Sequence, residues 1–226
     1  MLALKLGLSI GSPRPMGVWN PADESSLEAW YQNKVGITLN GSDVNSWSDS
    51  SGNSHGMVQA TATEQPAYNA SSGTLTFDAT DFNNLQTSTQ ISLDDEFTIG
   101  FIASPDSYNG TILGDNTINN ELFKYSANDK FVIKIDGSSK TFSLNSGTWG
   151  DDYILITRND AGLIEVYQNG TLQDDTETLE GTADIDAIGI RNSDVNPYDG
   201  TLKEIQIYTS ESADLTSNVN SYLAGL

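Results

Sequence analysis

Apolar and polar side chains alternate with a two-residue period along much of this chain, and this pattern restricts its fold more than any other feature. Such a period places the apolar residues of a β-strand on one face. A further run, Tyr153-Ile154-Leu155-Ile156, is apolar on both faces and predicts a central strand. The sequence therefore predicts an all-β fold. The predicted apolar faces are Leu75 and Phe77; Phe97, Ile99, Phe101 and Ala103; Phe131, Ile133 and Ile135; Ile164 and Val166; and Ile205 and Ile207.

Turn-forming dipeptides separate these runs and supply the positive-φ residues that tight hairpins require. The last segment, Asp214 to Leu223, changes to the helical period and predicts a short C-terminal helix, capped by Ser210 or Ser212. The dipeptides are Asn40-Gly41, Asn109-Gly110, Asp136-Gly137, Asn169-Gly170 and Asp199-Gly200.

The N-terminus carries its own apolar alternation. Each of its large apolar side chains forfeits about 1.5–3 kcal/mol if it stays in water, so the segment must cover a surface. That surface is either the domain's own sheet or a neighbouring subunit. We predict an extended N-terminal arm over residues 1–18, followed by a single domain over residues 19–226, and no secretory signal, since the only charge lies inside the apolar stretch. The arm residues are Leu2, Leu4, Leu6, Leu8 and Ile10.

Composition narrows the classes of partner. Ten Lys and Arg against 31 Asp and Glu give a net charge of −21, so the surface repels phosphate backbones and anionic lipid. We therefore expect neither nucleic-acid nor membrane partners. The chain contains no Cys and no run near the roughly 20 apolar residues of a membrane span. The acidic bias is typical of proteins that stay soluble in saline water.

Three stretches in order, residues 27–53, 149–170 and 188–208, resemble the laminin-G-like branch of the concanavalin A-like lectin and glucanase superfamily. They contain Trp47-Ser48-Asp49-Ser50-Ser51-Gly52-Asn53, Tyr167-Gln168-Asn169-Gly170, and Lys203-Glu204-Ile205-Gln206-Ile207-Tyr208. Between them, Phe77-Asp78-Ala79-Thr80-Asp81 is similar to a turn of that family. The resemblance implies an antiparallel two-sheet jelly-roll sandwich over residues 19–226.

Glucanases of this superfamily use paired carboxylates on one strand face, and the resemblance therefore calls for a search for them. None of the candidates has a third carboxylate at the required spacing. His55 is the only histidine, which excludes His-rich metal sites, and we interpret it as a loop residue after the Ser51-Gly52-Asn53 turn and not as a member of a catalytic triad. We predict that the protein is not an enzyme. The nearest candidates are Asp184 with Asp186, then Glu165, Glu204, Glu177 and Glu180.

Calcium is the one cofactor that the resemblance raises, because many laminin-G-like domains bind it through carboxylate and carbonyl oxygens. The candidate ligands are Asp49, Asp78 and Asp81, although Lys203-Glu204 stands where relatives often carry Asp. We favour solvated, turn-forming carboxylates and no cofactor, with calcium as the open alternative.

Loop aromatic residues are the candidate contact residues. Trp19, Tyr108 and Tyr198 lie in predicted loops beside Asn and Asp, where rings either stack on a sugar or anchor a protein partner. Trp30, Trp47 and Trp149 instead match core positions of the family.

An apolar arm in front of such a module resembles structural proteins of tailed-phage virions, especially marine ones. The main hypothesis is a non-enzymatic virion protein, a capsid decoration or a neck or tail component, located on the virion surface. Its partners are then other virion proteins or copies of itself, in a homo-oligomer or larger assembly. The alternative is an extracellular lectin-like adhesion module that binds glycans. A divergent polysaccharide-degrading enzyme is the third hypothesis.

Overall fold

The structure, a computed structural model, describes residues 19–116, 121–145, 147–191 and 194–226. The predicted arm, Leu2, Leu4, Leu6, Leu8 and Ile10, lies outside the described residues, and its role stays a prediction. Two short 3-10 helices, Pro21–Asp23 and Ala62–Glu64, accompany the strands and one α-helix, α1 (Ala213–Leu223). The strands are β1 (Leu27–Tyr31), β2 (Ile37–Asn40), β3 (Asp43–Trp47), β4 (Met57–Val58), β5 (Ala67–Asn69), β6 (Thr74–Phe77), β7 (Leu85–Leu93), β8 (Phe97–Pro105), β9 (Thr111–Gly114), β10 (Glu121–Ala127), β11 (Lys130–Ile135), β12 (Ser138–Ser143), β13 (Asp152–Arg158), β14 (Leu163–Gln168), β15 (Thr171–Leu172), β16 (Glu177–Thr178), β17 (Ala183–Ile188) and β18 (Gly200–Tyr208).

Two antiparallel sheets make up the sandwich. In the front sheet the order is β14–β13–β8–β18, and β1 and β6 both pair with the outer side of β18. In the back sheet the order is β7–β17–β9–β10–β11–β12. Along one edge the backbone pairing continues from the front sheet to the back sheet through β6, β5, β3, β4 and β7. The all-β jelly-roll prediction is confirmed.

Along the other edge, the described residues connect the two sheets through bonds that involve side chains. The Asn145 amide donates to Gln173 Oε1 at 2.9 Å, and the Ser143 amide donates to Asp175 Oδ2 at 2.9 Å. Lys140 Nζ lies 2.8 Å from Glu177 Oε2. We call this edge, residues 140–145 and 173–177, the polar edge.

The predicted apolar faces form the core between the sheets. Phe101, Phe123, Phe131 and Phe142 are fully buried, and the Phe131 and Phe142 rings stack with their centroids 4.9 Å apart. The predicted central strand, β13, lies between β8 and β14 as expected.

A buried cation closes the end of the sandwich where β13 finishes. The Arg158 side chain donates to the carbonyl oxygens of Asp95 at 2.5 Å, Gly181 at 2.8 Å and Leu93 at 2.9 Å. Its guanidinium also lies 4.8 Å from the centre of the Phe97 ring. Three main-chain acceptors and an aromatic face thus compensate the loss of hydration.

Helix α1 covers the outer face of the front sheet. The Ser212 side chain caps it by accepting from the Leu215 amide at 3.1 Å, which identifies the cap among the two predicted serines. A Cβ on Gly100 would lie 2.7 Å from Val219 Cγ1 and 3.0 Å from Leu223 Cδ1. Glycine in β8 therefore lets the helix pack directly on the sheet. No helix among the described residues is long and apolar enough to cross a membrane.

Candidate functional site

Five connections between strands meet at one end of the sandwich, which we call the loop end. The antiparallel register brings them together: the end of β8 pairs with the start of β13 at Ala103 and Asp152, and Ile154 pairs with Gln168 at the end of β14. Hydrogen bonds join neighbouring connections, since the Asp106 amide donates to the Asp199 carbonyl at 2.9 Å. The described residues of these connections are 106–110, 128–129, 144–145 with 147–151, 169–170, and 189–191 with 194–199.

A cavity of about 380 Å³ opens at the loop end, between the connection that precedes β13 and the β14–β15 hairpin. Its volume is in the range of small-molecule sites. The lining combines four side-chain amides, two threonine hydroxyls, one carboxylate and one indole. The residues are Asn145, Thr148, Trp149, Gly150, Asp152, Gln168, Asn169, Thr171 and Gln173.

Asp152, only 6% exposed, is the fixed polar centre of this lining. Its Oδ2 accepts from the Gly150 amide at 2.9 Å and from Gln168 Nε2 at 2.8 Å, and its Oδ1 accepts from Asn169 Nδ2 at 2.6 Å. The predicted Asn169-Gly170 turn is present with φ values of 51° and 76°, and it brings Asn169 back onto the start of β13. Three donors thus hold one carboxylate in a single orientation.

The amides on the other wall are held as firmly. Asn145 Oδ1 accepts from the backbone N–H of Asp174 at 3.2 Å, while Gln173 Oε1 accepts from the backbone N–H of Asn145. Gln168 Nε2 also donates to the Thr148 carbonyl at 3.2 Å. Because their bonds link the two connections, these amides are positioned before any ligand arrives, which lowers the entropy cost of binding.

Trp149 supplies the aromatic surface of the cavity. Its ring meets the Tyr125 ring edge-on at 4.5 Å between centroids, and its indole N–H donates to the Ala127 carbonyl at 3.1 Å. The predicted contact with the core is therefore present. The sequence did not indicate that this half-buried ring also lines a cavity.

Tyr125 lies behind Trp149 and is fully buried, and its hydroxyl has no hydrogen-bond partner among the described residues. Burial, with a smaller contribution from the nearby Asp152 carboxylate, raises the pKa of Tyr125 well above its usual value. The site therefore has a neutral phenol at its back.

The three predicted contact aromatics do not come together. Tyr108 is 47% exposed at the loop end but lies outside the cavity lining. Trp19 packs edge-on against Tyr222 of α1, with ring centroids 6.1 Å apart, and donates to Glu24 Oε1 at 2.6 Å. It therefore lies beside the helix layer of the front sheet.

The prediction that Tyr198 is available for contact is wrong. Its ring is fully buried, lies 5.8 Å from the Phe77 ring, and its hydroxyl donates to the Thr201 carbonyl at 3.1 Å. The connection before β18 folds inward because Gly110 has no side chain: a Cβ there would lie 2.8 Å from Tyr198 Cα.

The predicted calcium ligands shape turns. Asp49 Oδ1 accepts from the Trp30 amide at 2.9 Å and the Ser51 amide at 2.8 Å. Hydrogen bonds from Thr80 lower the pKa of Asp78, which lines a separate cavity of about 520 Å³ with Asp81. Within the described ranges, no three His, Cys, Asp or Glu side chains are grouped in a way that suits a metal ion.

The candidate catalytic carboxylates lie in different parts of the sandwich. Burial raises the pKa of Asp186, whose Oδ1 accepts from the Asn116 amide, and the carboxylates of Asp115 and Asp184 raise it further. Glu177 pairs with Lys140 at the polar edge, and Glu180 is exposed.

Glu165 lies in the same groove as a second acidic residue, Glu211, which the sequence did not indicate. This groove, of about 480 Å³, lies between β14 and α1 and is also lined by Tyr167. Burial raises the pKa of Glu211, and the charges of Glu96 and Glu165 raise it further.

Two other polar groups are structural. His55 is buried, with Nε2 2.8 Å from Glu28 Oε1 and Nδ1 3.0 Å from the Thr89 carbonyl oxygen. Glu204 is buried beneath α1, where it accepts from Trp30 Nε1 and the Asn33 amide, both at 2.5 Å.

No protein-family model and no curated protein matches the sequence. Solved structures do match. The binding domain of Paraclostridial Mosquitocidal Protein 1 superposes with a TM-score of 0.57 and 18% identity, over 90% of this chain and 52% of that one. Botulinum neurotoxin type C, whose cell entry depends on interaction with two ganglioside molecules, matches with a TM-score of 0.55 and 18% identity, over 88% and 51%. This chain thus spans about half the length of those toxin structures.

A third match covers nearly all of its partner. Domain 4 of AbnA, an extracellular arabinanase of Geobacillus stearothermophilus solved in complex with arabinotriose, has a TM-score of 0.54 and 16% identity, over 87% of this chain and 97% of that one. At these identities the matches establish the fold alone, an all-β jelly roll. Assignment to the laminin-G-like branch stays a prediction.

Proposed function

We propose that this protein is a carbohydrate-binding module whose site is the loop-end cavity. The observation that carries the proposal is the combination of one indole, four amides and one carboxylate, all held by hydrogen bonds or packing. Sugars are recognised by an apolar ring against their C–H face and by fixed amide and carboxylate groups at their hydroxyls. The size of the cavity suits one or two sugar rings.

Two of the matched structures support carbohydrate binding. One matched domain was solved with arabinotriose, and a matched toxin depends on gangliosides. Both ligands contain carbohydrate, although likeness of fold does not transfer function by itself. The lectin-like alternative is therefore better supported than the virion hypothesis. Assembly in a virion, oligomerisation and the predicted location depend on the arm, and no described residue bears on them.

Binding, without turnover, is the activity we propose. Among the described residues that line the cavity, Asp152 is the only one with a carboxylate, and Gly150, Gln168 and Asn169 already donate to it. General acid and base catalysis of glycoside hydrolysis uses two carboxylates on opposite sides of the bond.

The experiment is a glycan array followed by titration calorimetry on the strongest binder. We expect Trp149→Ala to abolish binding, because it removes the ring that lines the cavity. Since Trp149 also packs on the core, Thr171→Arg serves as the second variant: it fills the cavity from an exposed threonine and leaves the core intact.

Tyr108→Ala is the matched control, an exposed aromatic at the same end outside the lining. Loss of binding in Tyr108→Ala with full binding by Thr171→Arg would move the site to the 106–110 connection. If the wild-type protein binds no glycan on the array, the proposed function is wrong.

A further inference from the structure

The charge around the loop-end cavity bears on which sugars enter it. Among the described residues of the lining, none is Lys, Arg or His, and Asp152 is an acceptor fixed by three donors. The donors that hold Asp152 are amides without charge, so its negative charge has no positive partner in the lining.

More carboxylates surround the opening. Asp174 follows Gln173 and is exposed. Asp175 is half-buried at the polar edge, where its Oδ2 accepts from the Ser143 amide. Lys130 lies at the same end, opposite Ser143 in the β11–β12 pairing, and Asp129 stands next to it in the chain. Asp174 and Asp175, which adjoin the lining in the chain, therefore add negative charge beside the opening.

We infer that the cavity selects uncharged glycans and rejects those that carry carboxylate or sulfate groups. This inference rests on the proposed function. Recognition of an anionic sugar needs a cation or a set of free N–H donors. In the lining, the side-chain N–H groups of Gln168, Asn169 and Gln173 already donate to Asp152 or to main-chain carbonyls. Two negative charges about 5–7 Å apart at a protein surface repel strongly enough to weaken binding by at least about tenfold.

The chain's overall charge acts in the same direction at longer range. A net charge of −21 slows the approach of polyanions, and this effect fades as salt shortens the Debye length. The repulsion by the fixed Asp152 carboxylate persists, because buried charges are screened much less. Any anionic glycan should therefore bind better in high salt, yet stay weaker than its neutral counterpart.

Matched pairs of probes test the inference. We would print β-1,4-mannan beside β-1,4-mannuronan, and lactose-terminated beside sialyllactose-terminated glycans, on one array together with a broad neutral set. The expected result is binding only among neutral glycans, with at least tenfold weaker signals for acidic members. Equal or stronger binding of an acidic member overturns the inference and leaves the proposed function standing. Silence of the whole array overturns the proposed function.

A charge-reversal pair adds a second readout. Asp174→Lys changes the rim, and Asp160→Lys makes the same change in net charge at the opposite end; both aspartates are exposed in connections. For a ligand's acidic counterpart, we expect Asp174→Lys to strengthen binding about fivefold and Asp160→Lys to leave it unchanged. Binding of the neutral ligand should be the same in both. Equal effects of the two variants on the acidic probe would show that only net charge matters, and the local selection would be refuted.

Discussion

Glu204 gives the sharpest test of the energetics of the helix layer. Its carboxyl group is fully buried and accepts from Trp30 Nε1, the Asn33 amide and, at 3.1 Å, Gln206 Nε2. Burial raises the pKa of Glu204 to about 7, from an ordinary value of 4.5, and the three donors only partly oppose the rise. The native state thus binds this proton more tightly than the unfolded chain.

The sign of the pH effect follows from linkage. A carboxyl group whose pKa is higher in the folded state contributes stability that is complete below pH 4.5 and is lost as the pH rises through 7. The difference of 2.5 pKa units corresponds to about 3 kcal/mol, at about 1.4 kcal/mol per unit. Asp186 and Glu211, whose pKa values are also raised, change stability in the same direction.

The perturbation is Glu204→Gln, which keeps the shape and removes the charge. Its amide places an N–H group against the Asn33 amide, which costs about 1–3 kcal/mol at every pH. The absolute stability at pH 8 is therefore not diagnostic, because this cost offsets the gain from removing a buried charge. The slope of the free energy of unfolding against pH is diagnostic. Between pH 5 and pH 8 the wild-type protein should lose about 2–3 kcal/mol more than the variant does.

Urea unfolding followed by tryptophan fluorescence at pH 5, 6, 7 and 8 measures this difference. Glu180→Gln, which removes an exposed carboxylate, is the control and should leave the pH dependence unchanged. Equal slopes for the wild type and Glu204→Gln would refute the reasoning. They would mean that Glu204 does not titrate across this range, so that its three donors outweigh burial.

Further substitutions test packing by thermal and urea unfolding. Tyr125→Phe removes a buried hydroxyl without a partner and should leave stability unchanged or raise it by about 1 kcal/mol; a clear loss would mean that the hydroxyl is hydrogen-bonded. Gly100→Ala should lower the free energy of unfolding by about 1–3 kcal/mol, because the new methyl group contacts α1. The same substitution made in a Val219→Ala background should cost less, because the side chain that it contacts is smaller. Arg158→Met should cost about 3 kcal/mol or more, since three carbonyls lose their donor, and Arg158→Lys should recover only part; a neutral Arg158→Met would contradict the assigned role.

Local patterns were enough to predict β6, β8, β11, β13, β14 and β18 and the C-terminal helix. The faces of β8 and β11 follow from period two, and the Leu215 and Val219 spacing from the helical period, because both signals depend only on neighbours in sequence. Tyr198 shows the limit. Beside Pro197 and Asp199 it has the surroundings of an exposed loop residue, yet the inward fold depends on a glycine in a distant connection.

The candidate site was predictable only in pieces. The Asn169-Gly170 dipeptide predicts a hairpin. The hydrogen bond between Asn169 and Asp152, however, follows from the register of β13 on β14, which no local pattern determines. The sequence predicts Trp149 in the core, whereas its contact with the cavity depends on how two connections pack against each other. Residues that shape a site through tertiary contact leave no periodic signal.

The polar edge determines where the two sheets can separate and how a bound ligand would affect that opening. One side of the sandwich is closed by a continuous backbone ladder, and the other side, where Asn145 meets Gln173, is closed by side chains near solvent. Local opening of a protein begins where solvent-exposed side-chain bonds hold two elements together, so the two sheets should separate first along this side. A sugar bound between Asn145 and Gln173 would span that opening and act as a removable crosslink. Hydrogen exchange in β12 and β15 should then slow when ligand is present, while exchange in β5 and β6 stays the same.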